Sequence, residues 1–277
     1  MMTITPGEIP HREMHQILLS GVAPRPIALV ATSDAEGNIN LSPFSFFNAY
    51  SSKPPIVAIG PAHSAKTYKA KDTYLNLLDT GFCTINAVTF SMVEQVNLAS
   101  CEYEKGVDEF QKSGLTKRPS ELIQVPGVLE SPFIMECKLI SCIPLGREIK
   151  GNGNILLCQA LKIHISQDVL TDGKIDPRKM DLVARMGYNW YSRVTPESIF
   201  EVHKPTWNGI GMDRLPEELR HSSVLSGNDL AKLAGVKDIP QKNSQTAQGF
   251  ASIEERHRAA KQLLLENRVE EAWQLLL

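Results

Sequence analysis

The amino-terminal third of the chain contains short apolar runs with the length and composition of β-strands. PIALVATS (26–33) and INLSPF (39–44) are joined by the glycine-containing turn DAEGN, a pattern that predicts a β-hairpin. PPIVAIGP (54–61) is bounded by prolines and predicts a third strand, and FCTINAV (82–88) predicts a fourth. We therefore expect this part of the chain to be mainly β.

The two longest apolar runs lie further along the chain and predict a long hairpin. They are FIMECKLISCIPL (133–145) and NILLCQALKIHIS (154–166), separated by GREIKGNG. His164 lies inside the second run, where we expect a lone histidine to be structural rather than catalytic. Six strand runs with few helices favour an antiparallel barrel, because closure of a sheet removes its exposed edges. The GNGN at 151–154 lacks the third glycine and the following helix of a dinucleotide-binding unit, so a Rossmann fold is not indicated.

A helix is predicted where the hydrophobic period changes, in KDTYLNLLDTG (71–81). Asp72 is expected to cap its first turn, and Gly81 stands where a helix stop is expected. The residues expected to share one face of this helix are Tyr74, Leu75 and Leu78.

The segment SMVEQVNLAS (91–100) is also predicted to be helical. Ser91 as N-cap, with Glu94 three residues later, forms a capping-box pattern. Residues 101–132 are polar and rich in turn residues, and we interpret them as an ordered excursion over the surface of the domain.

The segment HREMHQILL (11–19) predicts a short helix with two histidines four residues apart. This spacing of His11 and His15 suits a metal ion, but no third ligand is nearby in the sequence, so a solvated or capping role is expected. We therefore predict no metal site.

The character of the chain changes after about residue 195. Residues 203–249 are short of apolar runs and rich in Gly, Pro, Asn, Gln and Ser. We therefore expect one domain over residues 1–200 and a carboxy-terminal extension over residues 201–277.

Two helices are predicted in the extension. NDLAKLAG (228–235) is expected to be capped by Asn228 and stopped by Gly235. The last 26 residues (252–277) predict one long amphipathic helix that starts with a Ser-x-x-Glu capping-box pattern. Its apolar side is formed by Ile253, Ala260, Leu264, Trp273 and Leu276. Because its charges are mixed rather than uniformly basic, we expect it to dock on its own core or on a partner subunit, not on a membrane.

Composition and charge narrow the class of protein. The chain has 277 residues, of which 42% are hydrophobic and 22% charged, which excludes a chain that is disordered throughout. Its 29 Lys and Arg against 31 Asp and Glu give a net charge of −2, so there is no global basic field for nucleic acid. No apolar run approaches the ~18–20 residues that cross a bilayer, and no signal peptide is visible. We expect neither a nucleic-acid nor a membrane partner.

The chain has five cysteines, an odd number, and no CxxC motif. This pattern is typical of reduced, mostly buried thiols, so we expect a cytoplasmic protein. The ligand spacing of a zinc site is absent from the sequence.

Four features of the amino-terminal third stand in a fixed order: GVAPRPIALVAT, NLSPFSFFNAYSSKPP, KDTYLNL and FCTIN. Each is ordinary by itself, but their order and spacing together resemble the flavin reductase-like family of FMN-binding split barrels. GVDEFQKSGLT (106–116), SPFIMECKL (131–139) and DLVARMGYNWY (181–191) also resemble family patterns. The resemblance covers roughly residues 10–195. It implies a mainly β fold, an antiparallel Greek-key split β-barrel with peripheral helices, to which the C-terminal helical extension is added.

The resemblance implies that the phosphate of FMN lies at the start of the helix over 71–81. Lys71 would be the cation and Thr73 a donor, at a helix start whose N–H groups and dipole favour an anion. Asp72 is expected to cap the helix, since its carboxylate would otherwise repel the phosphate. Further candidates just upstream are Ser64, Lys66 and Lys69, for which a solvated loop is the alternative.

The resemblance also implies that the isoalloxazine ring lies against the loop SFFNAYSS (45–52), which offers backbone amides, hydroxyls and aromatic rings. The residues implied as ring contacts on this loop are Phe46, Asn48, Ala49, Ser51 and Ser52. Phe44, Phe46 and Phe47 cannot all face the ring, because side chains alternate along a strand, so at least one of them is expected in the core.

Three residues outside this loop complete the implied site. Arg25 would stack on the ring or neutralise its edge, with a surface ion pair as the alternative. Asn86, inside an apolar strand, must have a buried hydrogen-bond partner; a backbone group or a ligand would serve, and the resemblance favours the ligand. Arg185, with Tyr191, would close the site from this subunit or from a partner.

The resemblance implies a homodimeric oxidoreductase that takes a hydride from NAD(P)H onto FMN and passes electrons to free flavin, a monooxygenase partner, iron or another acceptor. FMN would do the redox chemistry, so no catalytic acid, base or metal ligand is assigned. Two alternatives stay open: an FMN-binding electron carrier or binding module without direct NAD(P)H turnover, and a module whose extension mediates assembly. The sequence does not distinguish NADH from NADPH.

Overall fold

Antiparallel strands form most of the amino-terminal part of the molecule, as the apolar runs predicted. The structure, a computed structural model, describes residues 1–63, 69–146, 153–202, 204, 207–243 and 249–277. The strands of the described residues are β1 (Arg25–Pro26), β2 (Ala28–Ser33), β3 (Ile39–Phe44), β4 (Phe47–Ser52), β5 (Pro55–Ile59), β6 (Phe82–Ala87), β7 (Lys117–Arg118), β8 (Gly127–Val128), β9 (Phe133–Leu145), β10 (Gly153–Ile165), β11 (Leu170–Thr171), β12 (Lys174–Ile175), β13 (Val183–Gly187) and β14 (Trp190–Arg193). The α-helices are α1 (His11–Gly21), α2 (Asp72–Thr80), α3 (Val93–Ala99), α4 (Glu109–Ser113), α5 (Glu217–Arg220), α6 (Gly227–Ala234), α7 (Ile253–Leu265) and α8 (Val269–Leu276).

Seven strands form one antiparallel sheet that curls back on itself. Their order is β3-β2-β6-β9-β10-β5-β4, so β3 and β4 stand at opposite ends, although only Ser45 and Phe46 connect them in the chain. That connection spans at most about 11 Å, whereas six strand spacings across a flat sheet would add up to about 29 Å. The sheet therefore curves until its two ends meet at residues 44–47, which confirms the predicted barrel.

The two predicted hairpins are both present. β2 pairs with β3, and β9 pairs with β10 along almost their whole length. The tip of the long hairpin, residues 147–152, lies outside the described residues. A separate three-stranded sheet has the order β1-β13-β14 and carries the amino-terminal Arg25 next to β13.

The strand β2 is buried on both faces, which explains its unbroken apolar run. Ala28 and Val30 belong to the core that fills the barrel. Leu29 belongs to a second core, formed with Val96 of α3 and Phe110 of α4 on the other side of the strand. The sheet is thus held between two apolar layers in this part of the molecule.

The helix α2 has the predicted bounds but not the predicted face. Gly81 ends it in the left-handed conformation with φ 78°, which confirms the predicted stop. Of the three residues predicted to share one face, Tyr74 packs against the barrel core, whereas Leu75 and Leu78 are both exposed. The buried face is partly polar: Thr73 and Asn76 bond to side chains of β3 and β2, while Leu77 packs into the barrel core, so hydrogen bonds and apolar contact together orient the helix.

Two predicted helix caps differ in the structure. The helix α3 is preceded by a 3₁₀ turn over Phe90–Met92, so Ser91 lies inside that turn and is not the N-cap. The Ser91 hydroxyl lies 2.9 Å from that of Thr89. In the extension, α6 begins at Ser226 rather than at Asn228, because Ser226 and Asp229 form a complete capping box.

The chain divides into two compact units, Met1–Phe200 and Glu201–Leu277. The second unit has an apolar core of its own that includes Leu219, Leu233 and Trp273, all nearly completely buried. The Trp273 indole N–H donates to the Leu233 carbonyl at 3.1 Å, so the ring is satisfied within the unit.

The predicted single helix over 252–277 is two helices. Ser252 caps α7 as predicted, but the chain turns after Leu265, and Asn267 adopts a left-handed conformation with φ 59° before α8 begins. The turn lets both helices place their apolar sides into the core of the same unit. No helix of the residues described here has the length and hydrophobicity that crossing a bilayer requires.

Candidate functional site

The strand β4 stands at the end of the barrel sheet and is exposed along almost its whole length. The four polar or small residues implied as ring contacts on it are Asn48, Ala49, Ser51 and Ser52, and all four are exposed. A bulge between Ala49 and Ser51 interrupts its pairing with β5. Tyr50 at this bulge is 71% exposed. Amides and hydroxyls on one uncovered strand form a surface that can bind a polar, planar ligand edge-on.

The three phenylalanines around the start of β4 have different roles. Phe44 is buried, Phe47 packs against the barrel core, and Phe46 is 43% exposed. This confirms that at least one of them is core. A Cβ at Gly60 would lie 2.8 Å from the Cβ of Phe46, so only glycine lets the ring of Phe46 keep this position.

Phe46 lies against α1, and this contact corrects the interpretation of His15. The ring of His15 is half-buried, 6.5 Å from that of Phe46 and 6.3 Å from that of His11, so it is not a solvated side chain. Burial lowers the pKa of His15, and the nearby His11 and Arg25 lower it further. The described residues include no group of three or more potential metal ligands placed to hold an ion.

Arg25 is a buried guanidinium at the junction of α1, β1 and the β3–β4 connection. It is 5% exposed, which rules out the surface ion pair considered as its alternative. Its Nη1 donates to the carbonyls of Leu19 and Val22, and its Nε donates to Ser45 Oγ at 3.4 Å. Its Nη2 is buried without a hydrogen-bond partner. Burial and the neighbouring Arg185 lower its pKa, which reflects an uncompensated positive charge.

The start of α2 combines a cation with backbone N–H groups that precede the helical ladder. Lys71 is the half-buried N-cap residue and makes no side-chain capping bond. The first intrahelical bonds run from Tyr74 and Leu75 to the Lys71 carbonyl, so the N–H groups of Asp72 and Thr73 precede the helical ladder. This is the arrangement that binds phosphates at helix starts.

Two residues at this helix start differ from their expected roles. Asp72 does not cap the helix, which corrects that expectation, and its carboxylate stays in the first turn. Thr73 is 1% exposed, and its hydroxyl accepts a hydrogen bond from Asn40 at 2.9 Å, so it joins α2 to β3. Lys69 is exposed, whereas Ser64 and Lys66 lie outside the described residues.

Asn86 is fully buried and bonded to protein groups, which corrects its interpretation as a ligand contact. Its amide nitrogen donates to the Leu29 carbonyl at 2.8 Å, and its oxygen accepts from the Val128 N–H at 2.9 Å. The residue therefore ties β6 to β2 and β8, the backbone alternative that the sequence left open.

A cleft of about 590 Å³ lies between α3 and the β13–β14 hairpin. The guanidinium of Arg185 stacks on Tyr191 at 4.6 Å, and that of Arg193 stacks on Phe90 at 3.9 Å. The sequence reasoning missed Arg193 and Phe90. The signal was the period-two spacing of Arg185, Tyr191 and Arg193, which places all three on one face of a hairpin.

His164 has the predicted structural role. Its Nε2 lies 2.7 Å from Oε1 of the fully buried Glu136, and Arg118 lies 3.2 Å from its Nδ1. The cysteines are all free, and Cys83 lies buried beside Cys137 and Cys158. Hydrogen bonds with these two thiols, and burial, raise the pKa of Cys83 well above its ordinary value, which makes it unreactive.

The curled antiparallel sheet, whose two ends meet beside the exposed strand β4, defines the class as a split-barrel protein. A family model for the flavin reductase like domain matches residues 20–177. The chain therefore belongs to the flavin reductase-like family, and the extension lies beyond the matched domain.

Relatives and solved structures agree with this assignment. An uncharacterized protein of Deinococcus radiodurans is 33% identical over 186 residues, 65% of this chain and 79% of the relative. Another, from Halalkalibacterium halodurans, is 31% identical over 208 residues, 74% of this chain and 97% of the relative. Nitrilotriacetate monooxygenase component B from Bacillus cereus has 28% identity and a TM-score of 0.68, covering 73% of this chain and 98% of that one. A Shewanella frigidimarina protein described as a flavin reductase with a split barrel domain has 25% identity and a TM-score of 0.62, covering 73% and 99%.

The residues present fit a phosphorylated flavin. The exposed donors of β4 match the polar edge of an isoalloxazine, and Lys71 with the N–H groups at the start of α2 matches a phosphate, although the Asp72 carboxylate in the same turn opposes it. The buried, unpartnered Nη2 of Arg25 indicates that this region carries positive charge that the protein alone does not neutralise.

Proposed function

We propose that the protein is an FMN-binding oxidoreductase that accepts a hydride from NAD(P)H and passes the electrons to an acceptor. The observation that carries the proposal is the exposed, donor-rich strand β4, placed where the two ends of the barrel sheet meet. Apart from Phe47, which packs against the barrel core, the residues of this strand are exposed, so the Asn48 amide and the serine hydroxyls can donate to the polar edge of a flat ligand.

The residues divide the binding of FMN between two elements. Lys71 supplies the cation for the phosphate, and Asp72 and Thr73 contribute their backbone N–H groups rather than their side chains. Asn48 and the backbone of Ala49 face the ring edge. Ser51 and Ser52 supply further donors, and Phe46 supplies apolar surface beside them.

FMN, when bound, accepts the hydride and releases electrons to an acceptor. The chain binds and orients it and supplies positive charge nearby through Arg25. No side chain is assigned as a general acid or base. An acceptor on a partner monooxygenase is supported by the likeness to a protein named as component B of such an enzyme. The five free cysteines support a cytoplasmic, reducing location.

We propose that the protein is a homodimer formed through the outer face of the barrel. Ile143 and Ile155 lie opposite each other on β9 and β10, and Leu157 lies opposite Ala58, which in turn pairs with Asn48 of β4. Directly opposed residues share a face, so an aliphatic row leads to the ring-binding strand. Ile143 is 44% exposed, and burial of this apolar outer face against a second copy of the chain would remove it from water.

The test is a titration of the full chain with FMN, followed by absorbance and fluorescence. We expect binding at micromolar FMN, and Lys71→Gln should weaken it about tenfold, because a charge-assisted hydrogen bond contributes about 1.5 kcal/mol. Lys174→Gln, on the remote strand β12, is the matched control and should bind like the wild type.

The loaded protein is then mixed with NADH or NADPH without oxygen. Loss of the visible flavin band supports the oxidoreductase. FMN binding without bleaching by either nucleotide would favour the electron carrier instead. A protein that refuses micromolar FMN would overturn the proposal as a whole.

A further inference from the structure

Two guanidinium groups stand side by side at the edge of the barrel with no carboxylate partner among the described residues. Arg25 of β1 lies directly opposite Arg185 of β13. Arg25 is 5% exposed, and its Nη2 has no hydrogen-bond partner, so its charge is both desolvated and uncompensated. Two like charges in this position are stabilised by an anion nearby, even one that touches only the outer group.

Arg185 is the member of the pair that a ligand can reach. It is half-buried, lines the cleft between α3 and the β13–β14 hairpin, and donates to the Tyr188 carbonyl at 2.6 Å. Stacking on Tyr191 at 4.6 Å holds its plane in one orientation. A guanidinium fixed in this way offers its remaining N–H groups as a fork that matches phosphate oxygens.

The second arginine of the cleft differs in charge state. Arg193 stacks on Phe90, but Asp181 accepts from its Nε at 2.6 Å and from its Nη2 at 3.1 Å. Its charge is therefore largely neutralised. The net positive potential of the cleft is concentrated at the Arg185 end.

The opposite wall of the cleft has the complementary chemistry for a sugar. Glu94 and Asn97 of α3 are exposed and line it. In Rossmann-type sites a carboxylate binds the hydroxyls of the adenine ribose and disfavours a 2′-phosphate, and Glu94 offers the same acceptor chemistry here on an unrelated fold. The cleft volume of about 590 Å³ is of the size that small-molecule sites have.

The arginine pair also joins the cleft to the strand proposed to hold the flavin. Arg25 Nε donates to Ser45, which directly precedes Phe46. Arg25 thus links the two regions within the protein, because it bonds to Ser45 and pairs across the strands with Arg185.

We propose that this cleft binds the ADP-ribose part of NADH, with Arg185, backed by Arg25, on the pyrophosphate and Glu94 on the adenine ribose. The proposal rests on the proposed function, because it names the site and the class of the reductant. It assigns Arg185, which the family resemblance implied for the flavin, to the nucleotide instead.

The test measures binding of ADP-ribose, which has no redox activity, to the FMN-loaded full chain by calorimetry. Wild type should bind it, and Arg185→Gln should weaken binding about 10- to 100-fold, the loss expected for charge-assisted hydrogen bonds. Arg185→Lys, which keeps the charge but loses the fork, should fall between the two. Arg178→Gln is the matched control, because Arg178 is exposed and paired with Asp176 outside the cleft.

The ribose contact has its own readout. Wild type should bind ADP-ribose more tightly than its 2′-phosphorylated analogue, and Glu94→Gln should reduce this difference. A preference for the phosphorylated analogue would overturn the assignment of Glu94 and of NADH.

FMN affinity is measured on the same variants, which separates this proposal from the proposed function. An FMN affinity that changes less than about threefold in Arg185→Gln, together with lost ADP-ribose binding, supports the cleft. The opposite pattern, weakened FMN with unchanged ADP-ribose, would return Arg185 to the flavin site and overturn the proposal. So would a wild type that binds FMN but not ADP-ribose. Failure of FMN to bind at all would instead contradict the proposed function.

Discussion

A buried carboxylate fixes part of the long surface segment between α4 and β9. Glu136 on β9 is fully buried and accepts from the N–H groups of Glu121 at 2.8 Å and Leu122 at 2.7 Å, while His164 lies 2.7 Å away. Burial alone would raise the pKa of Glu136, but these donors together outweigh it and hold the pKa below its ordinary value. Part of the excursion predicted from composition, at Glu121 and Leu122, is therefore held by one strand residue.

Glu136→Gln tests this role. The amide cannot satisfy all the donors, so we expect a loss of about 2 kcal/mol in the free energy of unfolding at neutral pH, measured by urea denaturation. Because the folded-state pKa is depressed, the stabilisation is complete above the ordinary value near 4.5 and is lost as the pH falls through the lower folded value. In Glu136→Gln, the free energy of unfolding should therefore lack the decrease that protonation of Glu136 causes at low pH.

The matched control is Glu121→Gln, an exposed carboxylate paired with Lys162 in the same network. It should leave the midpoint nearly unchanged, since exposed ion pairs stabilise little. Equal midpoints for Glu136→Gln and wild type would contradict the role given to Glu136.

At single residues, the sequence predicted what a side chain requires but not which neighbours it has. A buried asparagine needs a partner, and Asn86 has two backbone partners, but the sequence does not show which groups approach it. Asp72 is a good capping residue by type, yet it lies one position inside α2, and Lys71 occupies the cap. The choice depends on where the first turn closes against the sheet.

At the scale of elements, the stop of α2 was fixed by local chemistry. Gly81 has φ 78°, a conformation that costs other residues free energy whatever their surroundings. Which face of the helix is buried depended on distant residues of the sheet. Asn40 donates a hydrogen bond to Thr73, and Thr32 accepts one from Asn76. No period in the helix itself reports those partners.

Gly81→Ala should lower the free energy of unfolding by about 1 kcal/mol, because alanine is strained at positive φ. Gly21→Ala, at the end of α1, is the matched control. A Cβ would meet nothing within 4 Å at either site, and only Gly81 has a positive φ. The difference between the melting curves of the two variants therefore measures the free-energy cost of positive φ for alanine. Equal losses of stability in both variants would contradict the argument.

The carboxy-terminal helices also show which features local sequence predicts and which depend on tertiary contacts. Amphipathic spacing over 252–277 predicted apolar residues that the structure does bury, among them Leu264 and Trp273. It did not predict the break at Asn267, because both halves have helical periodicity. The break is decided by the core they share, which a single straight helix could not cover on both sides.

At the scale of the whole molecule, the outer face of the barrel carries the prediction about assembly. Ile143→Lys places a charge in the aliphatic row and should shift the proposed dimer toward monomer, weakening association about tenfold or more at micromolar concentration. Sedimentation equilibrium measures the shift. Leu129→Lys, at another exposed leucine outside the row, is the control and should not change the mass. A wild type that is monomeric at every concentration would contradict the dimer.

The sequence by itself determined six of the seven strands of the barrel sheet, most of the helices and the family, because these depend on hydrophobic period, on turn residues and on motifs read along the chain. The segment predicted as the loop 45–52 is instead the strand β4, and the short strands outside the barrel sheet were not predicted. The curling of the sheet, the arginine pair of β1 and β13 and the cleft beside α3 were decided only by the tertiary structure. Arg25 and Arg185 are 160 positions apart, and their mutual repulsion exists only after two strands pair. Local patterns encode which surfaces are apolar, whereas the sites at which distant charges meet depend on how those surfaces pack.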